Sequence, residues 1–352
     1  MNCIRKLDEL VTKYSETLDI IHNITPINLN EENTKFISHV HHGVEYNPQY
    51  SYTKNPDINL VKREMQALTF SSGIIQDIYS DYQDYILKTL KLIESVGDAQ
   101  HFTKLSLQLF PPPRSSLLKE AMQILNANPS VSLNDVKYDA SHLEQVFQQQ
   151  LEKEGFHWTI ILKSPLSSKV AVAPDEKKIY INEDARFSEN DIKRLLVHEI
   201  GTHVLRAENG SKQKYGIFKT GFPGSIETEE GLALYNERKY GVLDKGILKI
   251  YAGRVLATSL CANNSFNYSF LELSKYFSEE EAVRMVSRVK RGITDTSLAG
   301  GFFKDNLYLS GYLKMQNAVT PAAEKILYTG IIGLNDIDRV SALIKQKDVI
   351  TF

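Results

Sequence analysis

Cysteine is scarce in this 352-residue chain, with only Cys3 and Cys261. Two cysteines so far apart make neither a disulfide framework nor a cysteine-rich zinc ribbon. Any metal must therefore be held by histidine and carboxylate. Long apolar runs are also missing: no window approaches the ~18 uninterrupted apolar residues of a membrane span. Net charge is small, −2 at neutral pH. No global field draws the chain to nucleic acid or to an anionic membrane, and neither is expected as a partner. The opening "MNCIRKLDELVTKYSETLDI" mixes charges of both signs and has no apolar core, so it does not read as a secretory signal. The expected compartment is the cytoplasm, with export by a route that needs no signal left open. An apolar fraction of 42% is enough to bury a core of ordinary size.

No internal repeat or low-complexity tract is present. Up to about residue 100 the chain reads as a helical region. "IRKLDELVTKYSETLDII" and "GIIQDIYSDYQDYILKTLKLIESVG" repeat apolar residues at helical intervals. Between them, "VEYNPQYSYTKNPDINL" carries two Asn-Pro steps and reads as loop or extended chain. "DASHLEQVFQQQLEKEG" predicts a helix capped by Ser141 and closed by Gly155. Then "HWTIILK", "KVAVA" and "KKIYIN" predict a small sheet, the last two as a hairpin. Either of those two could offer an edge to an extended peptide. "SENDIKRLLVHEIGTHVLRAENG" follows as a helix, with a Ser188/Asp191 capping box and Asn209-Gly210 as its stop signal. From about 225 to the end the pattern is helical again. The fold class is α+β, mostly helical, with a small sheet directly before the helix of interest.

That helix contains His198, Glu199 and His203. The familiar zinc-protease helix places two residues between its glutamate and its second histidine; here there are three. On an α-helix a residue at i+4 lies ~40° off the first residue's face, but one at i+5 lies ~140° off. Two histidines at i and i+5 can share a metal only if the helix carries a wide, π-type turn. There the i+5 residue returns to within ~50°. Gly201, inside the interval, lowers the cost of such a turn. "HVHH" at 39–42 is a weaker metal candidate, in what reads as a loop without carboxylate partners.

Downstream, "SIETEEGLALYNE" places Glu227, Glu229 and Glu230 near a helix start, 24 to 27 residues past His203. Zinc of the His-His-Glu type takes its third ligand from such a glutamate and leaves the fourth position open. Spacing alone does not choose among the three. Gly231 would let this helix approach another backbone closely. Glu199, beside a ligand, is placed to act as general base.

"HEIGTH" followed by "TEEGLALYNE" resembles the tyrosine carboxypeptidase family that includes the microtubule-associated enzyme removing the C-terminal tyrosine of α-tubulin. Bacterial members carry a Gln-Glu-Gly-Leu-Ala motif. Here it reads Glu229-Glu230-Gly231-Leu232-Ala233, a departure at the first position only. "NPQYSY" and "KRGITDTSLAGGFFKDNLYLSGY" also look like family segments, so the resemblance covers about 20 to 345. It implies a zincin-like catalytic domain, 101–352, packed as one unit with the N-terminal helical region, 1–100. It implies Zn2+ on His198, His203 and Glu230, with Glu199 as base. It also implies removal of a C-terminal tyrosine or phenylalanine from a peptide or protein tail.

A carboxypeptidase must read a terminal carboxylate, and a fixed cation does this best. Of Arg288, Lys290, Arg291 and Lys304, we favour Arg291 and Lys304, which flank "LAGGFF". Tyr308 is a further substrate-binding candidate, and a tyrosine of this segment could stabilise an oxyanion. Two other readings stay open: a zinc endopeptidase or other zinc hydrolase on the same site, and a non-catalytic binding or regulatory module. An intact Glu199 argues against the latter, because a structural zinc site needs no base.

Overall fold

A computed structural model describes residues 2–53, 57–127, 136–164, 166 and 168–344. The chain is mostly helical with a single small sheet among the described residues, as the α+β reading expects. No described helix is long and apolar enough to cross a membrane. Two compact units emerge, one of Met1–Pro129 with Ile247–Leu309, the other of Ser130–Gly246 with Ser310–Phe352. The boundary expected near residue 100 falls inside the first of these.

The second unit holds the sheet. Strands β1 (Thr159–Lys163), β2 (Val170–Ala173) and β3 (Lys178–Asn182) lie in the order β1-β3-β2. β2 and β3 pair antiparallel as the expected hairpin, and β1 joins β3 in parallel, Thr159 opposite Lys178. Alternation along β3 buries Ile179 and Ile181 completely. A helix, Ala140–Glu154, packs on β1 and β3, and β2 lies beside the chain around His198. Because β3 is central, "KKIYIN" offers no free edge; "KVAVA" does. The Ala140–Glu154 helix is capped by Asp139, whose side chain accepts from the His142 N–H, and not by Ser141. Gly155 closes it in the left-handed conformation, as expected.

The helix of interest is built in three consecutive pieces. Glu189–Leu195 is α-helical and opens on the Ser188/Asp191 capping box. Leu196–Val204 is π-helical, and Leu205–Ser211 returns to α. The wide turn that the His198/His203 spacing calls for is therefore present. The helix runs through Asn209-Gly210 and ends one residue past that stop signal, at Ser211. Gly210 is there for packing: a Cβ would sit 2.2 Å from the Phe218 carbonyl oxygen. Asn209 is buried and donates to the Tyr328 carbonyl at 2.8 Å.

The first unit is mostly helical in its described part. "GIIQDIYSDYQDYILKTLKLIESVG" forms one helix, Ile74–Glu94, whereas the N-terminal pattern breaks into Asn2–Lys13, Ser15–Leu18 and Ile20–Ile24. Residues 44–53, the described first part of the Asn-Pro segment, are non-helical as expected. Phe36, Phe266 and Phe270 pack edge to face at 4.7 and 4.8 Å in a core completed by Val283, Val286 and Val289. "HVHH" is not in a loop. His39 and His41 end the helix Leu29–His41, and their rings are engaged separately, His39 against Tyr46 and the Lys35 carbonyl, His41 with Glu279.

Candidate metal centre

The π-helical turn brings the His198 and His203 rings edge to face with centroids 4.9 Å apart. Ligand-capable atoms of His198, Glu199 and His203 lie within 4.8 Å of one another. The helix Ile226–Lys239 packs against this turn and carries Glu230, whose Oε2 lies 3.8 Å from His198 Nε2. The close approach expected at Gly231 occurs on the opposite partner, Gly311: a Cβ on Gly231 would meet Gly311 backbone atoms at 2.3–2.7 Å. Of the three candidate glutamates, each has a different task. Glu227 is engaged by Ser310 and Lys314. Glu229 takes His203 and Arg206. Glu230 faces the His198 imidazole.

Each imidazole is held from behind. His203 Nδ1 is 2.7 Å from Glu229 Oε1, and His198 Nδ1 is 2.7 Å from Glu237 Oε1. Each carboxylate is in turn fixed by an arginine, Glu229 by Arg206 and Glu237 by Arg194 at 3.0 Å. Arg206 is fully buried and spends its other donors on the carbonyls of Leu327, Gly330 and Ile332. Burial disfavours the charged form of His203, but the Glu229 hydrogen bond and the fields of Glu229, Glu199 and Glu230 outweigh it, raising its pKa to about 9. Burial likewise opposes ionisation of Glu229, yet Arg206 and His203 hold it below its ordinary value.

The π turn itself is propped by side chains. The Thr202 hydroxyl donates to the Val197 carbonyl at 3.0 Å, and the Tyr328 hydroxyl to the Gly201 carbonyl at 2.9 Å. Both hydroxyls accept from the Asn236 amide, at 2.9 and 2.8 Å. Each hydroxyl proton is used on a carbonyl, so both oxygens are left as acceptors for the two amide N–H groups.

The donor set suits a metal ion. Carboxylates on both Nδ1 atoms turn each Nε2 toward the shared space, the orientation that histidine ligands commonly take. Two imidazole nitrogens and a carboxylate match zinc's preference. Bonds of ~2.0–2.2 Å hold ligand atoms ~3.3 Å apart; Glu230 stands 3.8 Å from His198, and the carboxylate grouped most tightly with both imidazoles is Glu199. Glu199 is 7% exposed, a second carboxylate within reach.

Sequence reasoning missed Glu237, Arg194, Arg206, Asn236 and Tyr328. For Glu237 a signal was available, since it follows Glu230 by seven residues and shares its helix face. The expected substrate residues Arg291, Lys304 and Tyr308 belong to the first unit. Arg291 ends the helix Glu279–Lys290 and is 4% exposed. Burial, with Arg288 nearby, lowers its pKa to about 10. Lys304 lies half-buried in the short turn Phe303–Asn306. The Tyr308 ring stacks on Tyr251 at 5.1 Å.

A sequence model of the family described as microtubule-associated tyrosine carboxypeptidase matches residues 35–351. Microtubule-associated tyrosine carboxypeptidase 1 of Rattus norvegicus is 24% identical over 334 residues, 90% of this chain and 61% of the relative. The Mus musculus protein of the same name is 25% identical over the same shares. The Homo sapiens one is 32% identical over 158 residues, 42% of this chain and 32% of the relative. The chain thus spans about three fifths of the length of the rat and mouse relatives. With the family match running over nearly all of the sequence and through both motifs of the site, the chain belongs to the microtubule-associated tyrosine carboxypeptidase family.

Proposed function

We propose that the chain is a zinc-dependent carboxypeptidase with a zincin-like catalytic unit, releasing a C-terminal tyrosine or phenylalanine from a peptide or protein tail. One observation carries the metal part. Two imidazoles on a π-widened helix have each Nδ1 occupied by a different carboxylate, with Glu230 and Glu199 at their front. His198, His203 and Glu230 would hold the ion. When bound, zinc supplies Lewis acidity at neutral pH. Glu199 takes a proton from the attacking water and delivers it to the leaving amine as the peptide bond breaks. Glu237 and Glu229, backed by Arg194 and Arg206, keep the two rings oriented. The edge of β2, beside the π turn, is the surface offered to an extended peptide. Specificity for a terminal aromatic residue rests on the names of the relatives. Recognition of its carboxylate, with Arg291, Lys304 and Tyr308 as candidates, belongs to the same proposal.

Two variants and two peptides test this reading. Metal content is measured in the purified protein and in Glu230→Gln and Glu199→Gln. We expect stoichiometric zinc in the wild type, retained in Glu199→Gln with turnover down ~10²–10⁴-fold, and lost in Glu230→Gln. Zinc lost from Glu199→Gln and kept by Glu230→Gln would exchange the two roles. A peptide ending in free tyrosine should lose only that residue, and its amidated twin should resist. Cleavage of both at one internal bond would make the chain an endopeptidase. Full metal occupancy with no hydrolysis of any peptide would favour a binding module.

A further inference from the structure

The helical run through the π turn reaches the sheet as well as the site. Its last piece, Leu205–Ser211, carries Glu208, a buried carboxylate. Glu208 Oε1 accepts from Trp158 Nε1 at 2.7 Å and from Lys177 Nζ at 2.6 Å. Trp158 is buried and immediately precedes β1. Lys177 immediately precedes β3 and closes the turn that joins it to β2. A second tie reaches the same turn. Gly210 brings the helix against the backbone of Phe218 and Lys219, and Lys219 Nζ donates to the Asp175 carbonyl at 3.1 Å. The hairpin is thus fastened, at its turn, to the helix that carries His198, Glu199 and His203.

Lys177 is the one non-glycine residue with a positive φ among the described residues, at 51°. That region is unfavourable for a residue bearing Cβ, and hairpin turns that need it usually place glycine or asparagine there. Strain of this kind persists only where the surroundings demand it. The turn alone would be better served by glycine, so the demand lies in the side chain. Satisfying the Trp158 N–H needs Glu208 but no lysine. What the lysine adds is a charged link from the hairpin to the helix. β2, the other arm of the hairpin, pairs only with β3 and has its open edge beside the π turn. We infer that Glu208 and Lys177 are positioning residues: they hold the edge of β2 in place relative to Glu199, so that a peptide laid along that edge presents its last bond to the site. The inference rests on the reading of β2 as the peptide-binding edge.

Kinetics on two substrates and hydrogen exchange of the full chain test it. One substrate is a peptide ending in free tyrosine and long enough to pair with all of Val170–Ala173; the other is an N-acetylated dipeptide ending in tyrosine. Lys177→Gly relieves the backbone as it removes the link, so it should melt close to wild type. It should raise KM for the long peptide about tenfold with kcat little changed, and leave both constants for the dipeptide within about twofold. Glu208→Gln should act in the same direction. Lys177→Arg, which returns a cation to Glu208, should restore the long-peptide KM. Amides of Val170–Ala173 should exchange faster in Lys177→Gly, and those of Leu196–Val204 should not. Equal losses on both substrates would mark a purely structural role and overturn the inference. So would hairpin exchange or a long-peptide KM that is unchanged in Lys177→Gly. A wild type that releases no tyrosine from either substrate refutes the proposed activity itself, and this inference falls with it; in every other outcome the activity stands.

Discussion

Gly231→Ala is a sensitive probe of how the proposed metal centre is positioned. On an exposed helix this change would stabilise, because alanine exceeds glycine in helix propensity by up to ~1 kcal/mol. Here the opposite sign is expected. The added Cβ would meet the Gly311 carbonyl carbon at 2.3 Å, its oxygen at 2.5 Å and its Cα at 2.7 Å, where ordinary contact begins near 3.4 Å. The obstacle is backbone, not a side chain that can swing aside. The helix Ile226–Lys239 must therefore retreat by about 1 Å from the chain at Gly311. Overpacking of this kind costs ~1–3 kcal/mol, which exceeds the propensity gain. Glu230 is the neighbouring residue and moves with its helix. Its 3.8 Å separation from His198 Nε2 has little slack before it no longer shares an ion with the imidazoles. We expect Gly231→Ala to melt a few degrees lower and to bind zinc at least tenfold more weakly in a competition assay with a chelator. Gly311→Ala should behave alike, since its Cβ would lie 2.0 Å from the Glu227 carbonyl oxygen. If both variants keep wild-type melting temperature and zinc affinity, the close helix approach does not position Glu230.

Glu237→Gln retains an oxygen for His198 but withdraws the charge opposite Arg194, and Glu229→Gln does the same for His203 and Arg206. Each should weaken zinc binding ~10–100-fold in the same competition assay, and unchanged affinity would show that the rings are oriented by other means. Tyr328→Phe removes the donor to the Gly201 carbonyl and one acceptor of the Asn236 amide, all of them buried. It should lower unfolding stability in urea by ~1–3 kcal/mol, and a change under ~0.5 kcal/mol would mean that the π turn needs no such prop.

The helix carrying His198 and His203 was unusually legible because its spacing is geometrically restrictive. Two histidines at i and i+5 face one ion only through a widened turn, and Leu196–Val204 is such a turn. Short runs rich in Ile, Val, Tyr and Trp likewise announced three strands and the β2–β3 hairpin. Local signals failed where a distant chain segment decided the outcome. Asn209-Gly210 has the composition of a helix stop and the helix ends one residue later, but Gly210 is also required by the Phe218 carbonyl and Asn209 by the Tyr328 carbonyl, which the local pattern does not show. Asp139 and Ser141 are both good caps, two residues apart, and only the actual helix start at Ala140 chooses between them. The same contrast runs through the site. A π turn disturbs the regular backbone ladder, and buried carbonyls there need other donors. Thr202 supplies one from within the turn, but Tyr328 reaches Gly201 across 127 positions and Asn236 joins from 34 positions beyond Thr202. Sequence spacing can therefore announce a distorted turn, because the demand for it is local. What makes the distortion tolerable is supplied by tertiary contacts, and these arise only when the chain from Leu327 to Ile332 closes around Arg206 and Asn236.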